Sequence, residues 1–482
     1  MLDFSRELSS IFAVSMEPKL YNTLTRETES VYAADGKTLG IYCCGPTVYG
    51  PAHIGNFRSF TLQDLLRRVV EATGLRTKHV RNYTDVDDKT IRGAQAEGIA
   101  LFDFTEKWRK LYEVDCERLN LLRPHVSPSA VGHMEEQIEL ISTLLEKGLA
   151  YQVDNGSVYF RISAFEDYGK LSKLKREGIV QNADQRLNDS DEYDKESWND
   201  FALWKAWKEE DGPNRWSSPW GDGRPGWHTE CSAMSTKYLG DSFDFHSGGV
   251  DLMFPHHENE IAQCEGATGK QFVRHWFHIA HLRVEGSKMS KSLGNLYTID
   301  DIMAWGYHPM ELRYVLISGH YRQPLNFTRD SLNAAQSAMK RLSKVAKGLG
   351  GLPKKFKQAS WGRFEPVLGA LCDDLNTSKA LGSLHTALGE LEDLLKENEP
   401  SEVLRLEAAA LAKILDVLGL ELVDYSEPMI EIPDAIRAIA DERWDARSAK
   451  NWARSDELRD LLLEKGWRVK DGKEGYALEA VS

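Results

Sequence analysis

The stretch VDLMFPHHENEIAQC, Val250–Cys264, gathers side chains that are good metal ligands. If Pro255 occupies the first turn of a helix, where its missing N–H is harmless, then His256, Glu260 and Cys264 follow at i, i+4 and i+8 on one helical face. That spacing can direct several ligands at one point. A polar face that meets only solvent is the alternative, and the remaining ligands of a metal site must come from elsewhere in the chain.

Two further segments suggest phosphate chemistry. In GPTVYGPAHIGN, His53 and Asn56 follow a strand and precede a helix that is predicted to begin near Phe57. Helix N-termini present free N–H groups and a partial positive charge, so a phosphate can dock there. Far downstream, EGSKMSKSLGN places Lys288 and Lys291 in a run of Gly, Ser and Lys. Taken singly, the first motif fits a structural turn and the second fits a surface loop.

The segment AIADERWDARSAKNWARSDELRDLLLEKGWRVKD interleaves basic and aromatic side chains. Single-stranded bases stack on aromatic rings while cations meet their phosphates, so this composition favours nucleic-acid binding. A solvated amphipathic helix explains the same pattern. The residues concerned are Arg443, Arg447, Lys450, Arg454, Arg459 and Arg468, with Trp444, Trp452 and Trp467.

Composition bounds the class of protein. The chain has 482 residues, of which 41% are hydrophobic and 28% charged, enough for several buried cores. The formal net charge of -14 argues against indiscriminate nucleic-acid binding and leaves room for a local basic groove. Six scattered cysteines predict free thiols. Because no run of about 18 apolar residues could span a bilayer, we expect a cytoplasmic protein without membrane attachment, and Met16 is a candidate second start site.

The elements that must position these side chains follow from hydrophobic periodicity. KTLGIYCCGPTVYG predicts a buried strand, NFRSFTLQDLLRRVVEATG a helix that stops at Gly74, and LRTKHVRNYTDVDD a second strand, which together form a βαβ unit. Residues 125–225 indicate an insertion of short helices, after which GDSFDFHSGGVDLMFPHHE resumes strand, turn and helix. The pattern is helical from Leu332 onward, and EGYALEAVS indicates a hairpin. The predicted fold is α/β, with a doubly wound parallel sheet built in two halves, then a mainly helical bundle and a small C-terminal domain.

Taken together, the two phosphate motifs point to a family. His-Ile-Gly-Asn at the start of a nucleotide-binding sheet, followed late by Lys-Met-Ser-Lys-Ser, resembles the signature pair of class I aminoacyl-tRNA synthetases, and the chain resembles the cysteinyl-tRNA synthetases among them. The resemblance runs from about Lys19 to the C-terminal region and includes YNTLTRETE, CGPTVYGPAHIGN, VRNYTDVDDK, SPWGDGRPGWHTECSAMS, DLMFPHHENEIAQ, KMSKSLGN and ISGHYRQPLNF. It implies a monomeric enzyme with a Rossmann-like catalytic domain that uses ATP, L-cysteine and tRNA(Cys).

The resemblance also implies one Zn²⁺ per chain, held by Cys44, Cys231, His256 and Glu260. His256 and Glu260 stand one helical turn apart, and Cys, His and Glu are all good Zn²⁺ ligands. Cys264 and His257 remain rivals. Cys264 stands a further turn along the helix and is expected to pack, whereas His257 points about 100° away and is expected to reach a neighbour or the substrate.

Zinc would then distinguish cysteine from serine. The two amino acids differ by one atom, and a pocket that separates them by size or by a neutral hydrogen bond gains modest selectivity. A thiol coordinates as a thiolate, and soft sulfur suits the metal better than a hydroxyl oxygen. Discrimination on the order of 10⁴ would make an editing domain unnecessary. Trp227 is a predicted wall of this pocket, with a purely structural tryptophan as the alternative.

The family reaction has two steps. The cysteine carboxylate attacks the α-phosphate of ATP and releases pyrophosphate, and the terminal ribose hydroxyl of the tRNA then takes the aminoacyl group. Positioning and charge stabilisation suffice for both steps. By resemblance His53 and Asn56 hold the phosphates, Lys288 and Lys291 close over the pyrophosphate, and Mg²⁺ accompanies ATP. The implied nucleotide-binding set is Gly45, Thr47, His53, Asn56, Gly248, Gly249, Asp251 and Lys291, and the implied substrate-binding set is Trp227, Thr47 and Asp251.

The resemblance divides the chain as well. It implies an anticodon-binding end whose candidate readers are Arg447, Trp452, Asp456 and Asp471. The expected domains are an N-terminal extension (1–18), the first half of the catalytic domain (19–124), a connective insertion (125–225), the second half of the catalytic domain (226–287), the KMSKS loop and stem-contact region (288–340), a helical bundle (341–428) and an anticodon-binding domain (429–482).

The chain departs from the family pattern at two positions and at its end. Ser247 stands where glycine is usual in the HSGG turn, Gly50 replaces a common acidic residue, and GKEGYALEA after Asp471 diverges from the usual close. Two rival functions share much of the pattern. A ligase that joins cysteine to an amino sugar lacks the anticodon-binding end, and a catalytically dead paralogue that binds tRNA would not need the two signatures and all four zinc ligands.

Overall fold

The computed structural model of the chain describes residues 16–174, 200–290, 293–397, 400–425, 434–449, 451–471 and 476–480. The first half of the sheet region opens with an antiparallel pair, β1 (Lys19–Asn22) and β2 (Glu27–Ser30), and continues with β3 (Thr38–Cys43), α1 (Ile54–Ala72) and β4 (Arg76–Arg81). Strands β3 and β4 pair in parallel, which confirms the predicted βαβ unit. Helices α2 (Asp88–Glu97) and α3 (Leu101–Arg118) follow.

The region 125–225 has more regular structure than its sequence indicated. It holds α4 (Met134–Glu146) and an antiparallel sheet in the order β5 (Ala150–Gln152), β6 (Val158–Phe160), β7 (Phe201–Ala206) and β8 (Gly223–Pro225). The sequence predicted short helices and a polar, Asp-rich and Trp-rich stretch here, and it did not predict the sheet. Three of these strands have three residues each, too few to show a recognisable alternation of apolar and polar positions.

The second half of the sheet region completes the central sheet. Its elements are α5 (Trp227–Leu239), β9 (Phe243–Gly249), α6 (Glu258–Thr268) and β10 (Val273–Ile279). The sheet runs β10-β9-β3-β4 with all strands parallel, which confirms the predicted doubly wound sheet in two halves. Since β3 and β9 are neighbours, the two halves meet along the middle of the sheet. The crevice outside the carboxyl ends of such strands is where ligands bind.

The sheet is followed by a second group of elements, mainly helical. These are β11 (Leu282–Val284), β12 (Ser287–Lys288), α7 (Ile299–Ala304), α8 (Pro309–Leu316), β13 (Leu325–Phe327) and α9 (Arg329–Gly348), then α10 (Glu365–Cys372), α11 (Thr377–Leu394) and α12 (Ser401–Leu418). The last described elements are α13 (Asp434–Ser448), α14 (Trp452–Glu464) and the hairpin of β14 (Trp467–Asp471) with β15 (Tyr476–Ala480). The predicted helical run and terminal hairpin are both present.

Two predicted helix starts were wrong by about one turn. Helix α1 begins at Ile54 and not near Phe57, because His53 caps it: the His53 Nδ1 accepts the Asn56 N–H at 3.2 Å. The helix after Pro255 begins at Glu258. None of the helices in the described ranges combines the length and apolarity needed to cross a bilayer.

Candidate metal and substrate site

Four potential metal ligands converge at the carboxyl edge of the sheet. Cys44 follows β3, Cys231 lies in α5, and His256 and Glu260 lie on either side of the start of α6. Their ligand atoms all fall within 4.8 Å of one another, and all four residues are buried. The Cys44 and Cys231 sulfurs are 3.9 Å apart, the Cys44 Sγ is 3.8 Å from the Glu260 Oε1, and the His256 Nε2 is 2.9 Å from the same oxygen.

The segment that carries His256 is not the regular helix that the sequence suggested. The chain is kinked at Phe254, whose backbone is extended (φ -138°, ψ 132°), the conformation that a following proline favours. From Pro255 onward the chain still turns helically, so His256 and Glu260 keep their i, i+4 relation. Cys264 lies apart from the cluster, with its Sγ near the Ser232 carbonyl and the Thr236 hydroxyl.

Several histidines that sequence reasoning left out surround the cluster. The His246 Nε2 is 2.8 Å from the Glu260 Oε2, and the His228 Nδ1 is 2.9 Å from the His256 Nδ1. His246 is the middle residue of β9, two residues before Gly248. Its place in the strand that ends at this edge of the sheet is the signal that could have identified it.

His257 reaches the cluster rather than pointing away from it. Its Nε2 is 3.4 Å from the Cys44 Sγ, and its Nδ1 is 2.8 Å from the Nε2 of His278 near the end of β10. Cys44, His246, His257 and Glu260 therefore form a second set of ligand atoms within 4.8 Å of one another. The two sets share Cys44 and Glu260.

The charges within the cluster balance one another. Burial alone would raise the pKa of Glu260, yet His246 and His256 hold it at about 2. Burial alone would lower the pKa of His256, but Glu260 and Cys231 raise it to about 10. The hydrogen bond from Cys44 is the largest influence on Cys231 and lowers its pKa to about 6, whereas burial raises the pKa of the Cys44 thiol well above its usual value. The arrangement thus holds a thiolate, a carboxylate and a protonated imidazole close together, and the imidazole would release its proton on binding a metal ion.

Trp227 lies directly against these ligands. Its ring stacks on the His256 imidazole with centroids 4.3 Å apart and planes at 29°. It is the first residue of α5, and the preceding Gly226 packs so closely on β7 that an added Cβ would lie 1.9 Å from the Ala202 carbonyl oxygen. The close approach of the two backbones fixes where α5 begins, and so where Trp227 and Cys231 stand.

The two signature motifs touch each other. His53 and Asn56 form a reciprocal cap, since the Asn56 Oδ1 also accepts the His53 N–H at 3.1 Å. A Cβ on Gly55 would lie 2.9 Å from the Met289 Sδ, so the KMSKS segment rests on the first turn of α1. Lys288 lies in β12 with an exposed side chain, and Lys291 lies outside the described residues.

The predicted nucleotide-binding glycines are tightly packed within the protein. A Cβ on Gly45 would lie 1.7 Å from the Asn82 carbonyl oxygen, and one on Gly248 would lie 2.7 Å from the His257 ring. A Cβ on Gly249 would lie 2.4 Å from the Asp251 Oδ1. Gly45 is thus required by a backbone contact inside the chain, whereas the half-exposed Asp251 side chain can move to admit a Cβ at Gly249.

Thr47 and Asp251 flank the opening of the site. Thr47 bridges in parallel to Thr84, the residue that continues beyond β4. The Asp251 carboxylate is half exposed, with its Oδ1 3.9 Å from the His281 Nδ1. Burial lowers the pKa of His53, which keeps its ring neutral near pH 7, although nearby Asp251 opposes that shift.

The two departures from the family pattern differ in kind. The Ser247 hydroxyl is buried in β9 and accepts a hydrogen bond from the Gln63 Nε2 at 3.2 Å, so the serine joins the sheet to α1. An added Cβ on Gly50 would meet nothing within 4 Å.

Two of the predicted anticodon readers, Arg447 and Trp452, lie together, and many of the basic residues around them are neutralised. The Arg447 guanidinium lies 5.7 Å from the ring of Trp452, which is 55% exposed. Asp456 pairs with Arg459, and Arg454 pairs with Glu442 and Glu457. Arg443 is buried, Lys450 lies outside the described residues, and Asp471 ends β14 opposite Tyr476. The basic stripe that the sequence suggested is therefore largely an ion-paired helix surface, with Arg447 and Trp452 as its most promising part.

Known proteins of similar sequence belong to one family of enzymes. A family model described as the class I (C) tRNA synthetase catalytic domain matches residues 30–337, and a model described as the DALR domain matches residues 367–423. A cysteine–tRNA ligase of Opitutus terrae is 48% identical, covering 96% of this chain and 99% of that protein. One from Chlamydia muridarum is 40% identical, covering 97% and 100%.

Similar solved structures are more distant. The LeuRS–tRNA–LeuAMS ternary complex of Agrobacterium radiobacter has a TM-score of 0.57 at 12% identity, covering 83% of this chain and 88% of that one. The methionyl-tRNA synthetase of Mycobacterium tuberculosis with methionyl-adenylate has a TM-score of 0.54 at 17% identity, covering 79% and 89%. At this identity the likeness establishes the fold.

Proposed function

Because this chain belongs to the cysteine–tRNA ligases among the class I aminoacyl-tRNA synthetases, we propose that it activates L-cysteine with ATP, transfers it to the 3′-terminal ribose of tRNA(Cys), and uses Zn²⁺ to select the substrate thiol. The observation that carries the proposal is the buried cluster of two sulfurs, an imidazole and a carboxylate at the ligand-binding edge of the sheet. ATP, cysteine and tRNA are the substrates, and Mg²⁺ accompanies ATP.

The residues of this cluster fit zinc. Two thiolates on a tetrahedral zinc with Zn–S bonds of about 2.3 Å stand about 3.8 Å apart, and the Cys44 and Cys231 sulfurs are 3.9 Å apart. We favour Cys44, Cys231, His256 and Glu260 over the set with His246 and His257, because a second sulfur suits Zn²⁺ better. His246 and His257 then orient Glu260 and Cys44 from outside the ligand set. Bound there, Zn²⁺ would supply a preference for the thiolate of cysteine over the hydroxyl of serine.

The side chains around the cluster position the other parts of the substrates. Trp227 covers one side of the amino-acid pocket, and Asp251 is placed to bind the substrate amine. Neutral His53 donates a hydrogen bond to a phosphate oxygen of bound ATP, and Asn56 does the same. These hydrogen bonds replace those of the reciprocal cap between the two residues. Lys288, joined by Lys291, supplies positive charge as pyrophosphate leaves. The contact between Gly55 and Met289 supports these roles, because it brings the His-Ile-Gly-Asn and Lys-Met-Ser-Lys-Ser motifs together.

The remaining domains serve the tRNA in this proposal. The stem-contact region is 288–340, the helical bundle is 341–428 and the anticodon-binding domain is 429–482. Arg447 and Trp452 are the main anticodon contacts, and Asp456 and Asp471 are additional ones. The family model for the DALR domain lies inside the proposed bundle. We propose a monomer that acts in the cytoplasm.

Both rival functions are less well supported. A ligase that joins cysteine to an amino sugar would be a shorter chain, whereas this chain covers 99% of the Opitutus terrae cysteine–tRNA ligase. A paralogue that only binds tRNA would have no reason to keep a buried cluster of ligands beside an intact first signature.

Charging of a tRNA(Cys) transcript with labelled cysteine tests the reaction directly. We expect ATP-dependent charging with cysteine, pyrophosphate release, and loss of both in the variant Lys288→Ala combined with His53→Ala, in which the charged and polar phosphate contacts are removed. Transfer of cysteine to an amino sugar in place of tRNA would favour the first rival. Tight tRNA binding without adenylate formation by the zinc-loaded protein would favour the second.

A further inference from the structure

Tyr49 and Lys89 form a pair at the rim of the site that neither the metal cluster nor the two signatures uses. Tyr49 lies in the loop between β3 and α1, two residues after Thr47 and four before His53. Lys89 lies in the first turn of α2, and its Nζ is 5.7 Å from the centre of the Tyr49 ring. The two side chains therefore stand together beside the carboxyl edge of the sheet.

Firm backbone contacts hold this pair in place. The Val48 N–H donates to the Thr84 carbonyl, and the Thr84 N–H donates to the Pro46 carbonyl, both at 3.1 Å, so the Tyr49 loop is tied to the chain that leads into α2. Asp87 caps α2 by accepting the Thr90 N–H at 2.7 Å. A surface fixed in this way is pre-organised for a ligand, which reduces the entropy lost on binding.

The exposed surface of the pair is aromatic and basic. The Tyr49 side chain is 36% exposed although its neighbour Val48 is buried, and Arg92, one turn beyond Lys89 on α2, is exposed. The nearby Asp88 carboxylate already pairs with Arg224 and Lys205. An exposed ring beside cations is the combination that binds single-stranded nucleic acid, because bases stack on the ring while phosphates meet the cations.

We propose that Tyr49 and Lys89 dock the single-stranded 3′ end of the acceptor tRNA, with a base stacked on Tyr49 and a backbone phosphate beside Lys89. The inference rests on the proposed function, in which the terminal ribose must reach activated cysteine at this edge of the sheet. A chain of net charge -14 repels tRNA at long range, so a local aromatic and basic surface is needed where the tRNA end enters. Formation of the adenylate does not involve the tRNA and does not depend on this surface.

Measuring the two reaction steps separately distinguishes a role in docking the tRNA from a role in the overall stability or activity of the enzyme. Pyrophosphate exchange with cysteine and ATP, without tRNA, measures the first step, and single-turnover transfer to a tRNA(Cys) transcript measures the second. We expect Tyr49→Ala to leave exchange within about twofold of wild type and to slow transfer about tenfold or more, the effect of losing one stacked base. Tyr49→Phe keeps the ring and should transfer normally. Lys89→Ala should slow transfer and weaken its dependence on salt.

Phe102 offers a matched control, since it is an aromatic residue in the first turn of α3 with 73% of its surface exposed. Phe102→Ala should transfer at the wild-type rate. Equal transfer rates in Tyr49→Ala and Phe102→Ala would overturn the docking surface while leaving the proposed function intact, and so would a parallel loss of exchange in Tyr49→Ala. Absence of exchange in the zinc-loaded wild type would overturn the proposed function, and the docking surface with it.

Discussion

Each ligand of the metal cluster is paired with a neighbour that sets its protonation. Glu260 lies between His246 and His256, at 2.8 Å and 2.9 Å, and this contact keeps the carboxylate charged inside the protein. The Cys44 thiol donates toward Cys231, which favours the thiolate of Cys231. Because the groups depend on one another, replacing one of them is expected to change the ionisation of the rest.

The buried histidine His275 predicts acid sensitivity away from the metal site. Burial lowers its pKa to about 4, from an ordinary value of about 6.5. Between about pH 6.5 and pH 4, His275 is therefore protonated in the unfolded chain and neutral in the folded chain. The free energy of unfolding decreases as pH falls through this range, by about 3 kcal/mol at most. His275→Phe keeps the ring that stacks on Phe245 and should flatten this decline. Melting temperatures between pH 7.5 and 5 measure it, and equal declines in both proteins would contradict it.

Gly45 is predicted to be irreplaceable for steric reasons. In Gly45→Ala the new Cβ would lie 1.7 Å from the Asn82 carbonyl oxygen, a backbone atom that cannot move without shifting the chain beyond β4. We expect a loss of about 3 kcal/mol or more of stability, visible as a melting temperature lower by several degrees. Gly50→Ala is the matched control, because its Cβ has open space, and its melting temperature should be unchanged. A wild-type melting temperature for Gly45→Ala would contradict the close approach of Gly45 to the Asn82 carbonyl oxygen.

Residue types and spacing predicted part of the site. The spacing of His256 and Glu260 indicated a shared ligand point, since residues four apart on a helix lie on one face. Cys44 and Cys231 stand 187 positions apart, and periodicity holds no information on such a pair, so only the family resemblance could join them. His246 was missed because a histidine inside an apolar strand is usually a packed residue, and its contact with Glu260 joins β9 to α6, a tertiary contact that periodicity does not reveal.

At the scale of elements, a buried ion cluster connects the catalytic half to the helical bundle. The Asp64 carboxylate in α1 accepts hydrogen bonds from Arg68 at 2.8 Å and from Arg313 of α8 at 2.6 Å. Arg313 also donates to the Leu418 carbonyl at the end of α12, at 3.0 Å. Both Asp64 and Arg313 are fully buried, so Arg313 depends on the Asp64 carboxylate, whereas Arg68 also lies 3.8 Å from the Asp416 carboxylate.

Removing the charge of Asp64 is predicted to loosen this junction. In Asp64→Asn the buried Arg313 guanidinium loses its counter-ion, which costs about 3–5 kcal/mol because an unpaired buried charge is strongly unfavourable. Thermal unfolding should show a large drop in melting temperature. Glu97→Gln breaks the ion pair with Lys107, whose two side chains are 38% and 51% exposed, and should cost about 0.5 kcal/mol or less. Similar shifts in the two variants would contradict the structural role of the cluster.

Elements were predicted best where their periodicity was long. The helical run after Leu332 and the strands of the βαβ unit had enough residues to display their spacing, and they are present. The three-residue strands β5, β6 and β8 did not. The start of α1 was misplaced because a histidine and an asparagine provide its cap, and the start of α6 because Phe254 before Pro255 takes an extended conformation.

At the scale of the whole molecule, the proposed function assigns the two ends of the tRNA to different parts of the chain. The activated amino acid would lie at the carboxyl edge of the sheet, whereas Arg447 and Trp452 belong to the last described helices. The first reaction step is independent of the C-terminal region in this arrangement, and the second depends on both parts. The dense acidic and basic pairing of that region limits the surface left for the anticodon.

Trp452 provides the test of this separation. Trp452→Ala removes the most exposed ring of α14 and is expected to raise the KM for tRNA(Cys) about tenfold, because one stacked base contributes about 1–3 kcal/mol. Pyrophosphate exchange without tRNA should be unchanged. Leu463→Ala on the same helix removes an apolar side chain of 50% exposure and should leave both measurements unchanged. An unaltered KM in Trp452→Ala would remove Trp452 from the anticodon site.

In the proposed function the buried cluster holds zinc, and this zinc selects cysteine over serine. Pyrophosphate exchange with cysteine and with serine, on wild type and Cys231→Ser, with the zinc content of each protein determined, tests it most directly. We predict exchange with cysteine only, a cysteine preference on the order of 10⁴ in wild type, and joint loss of zinc and of that preference in Cys231→Ser. Full cysteine preference in a zinc-free Cys231→Ser variant that still carries out exchange would contradict the claim.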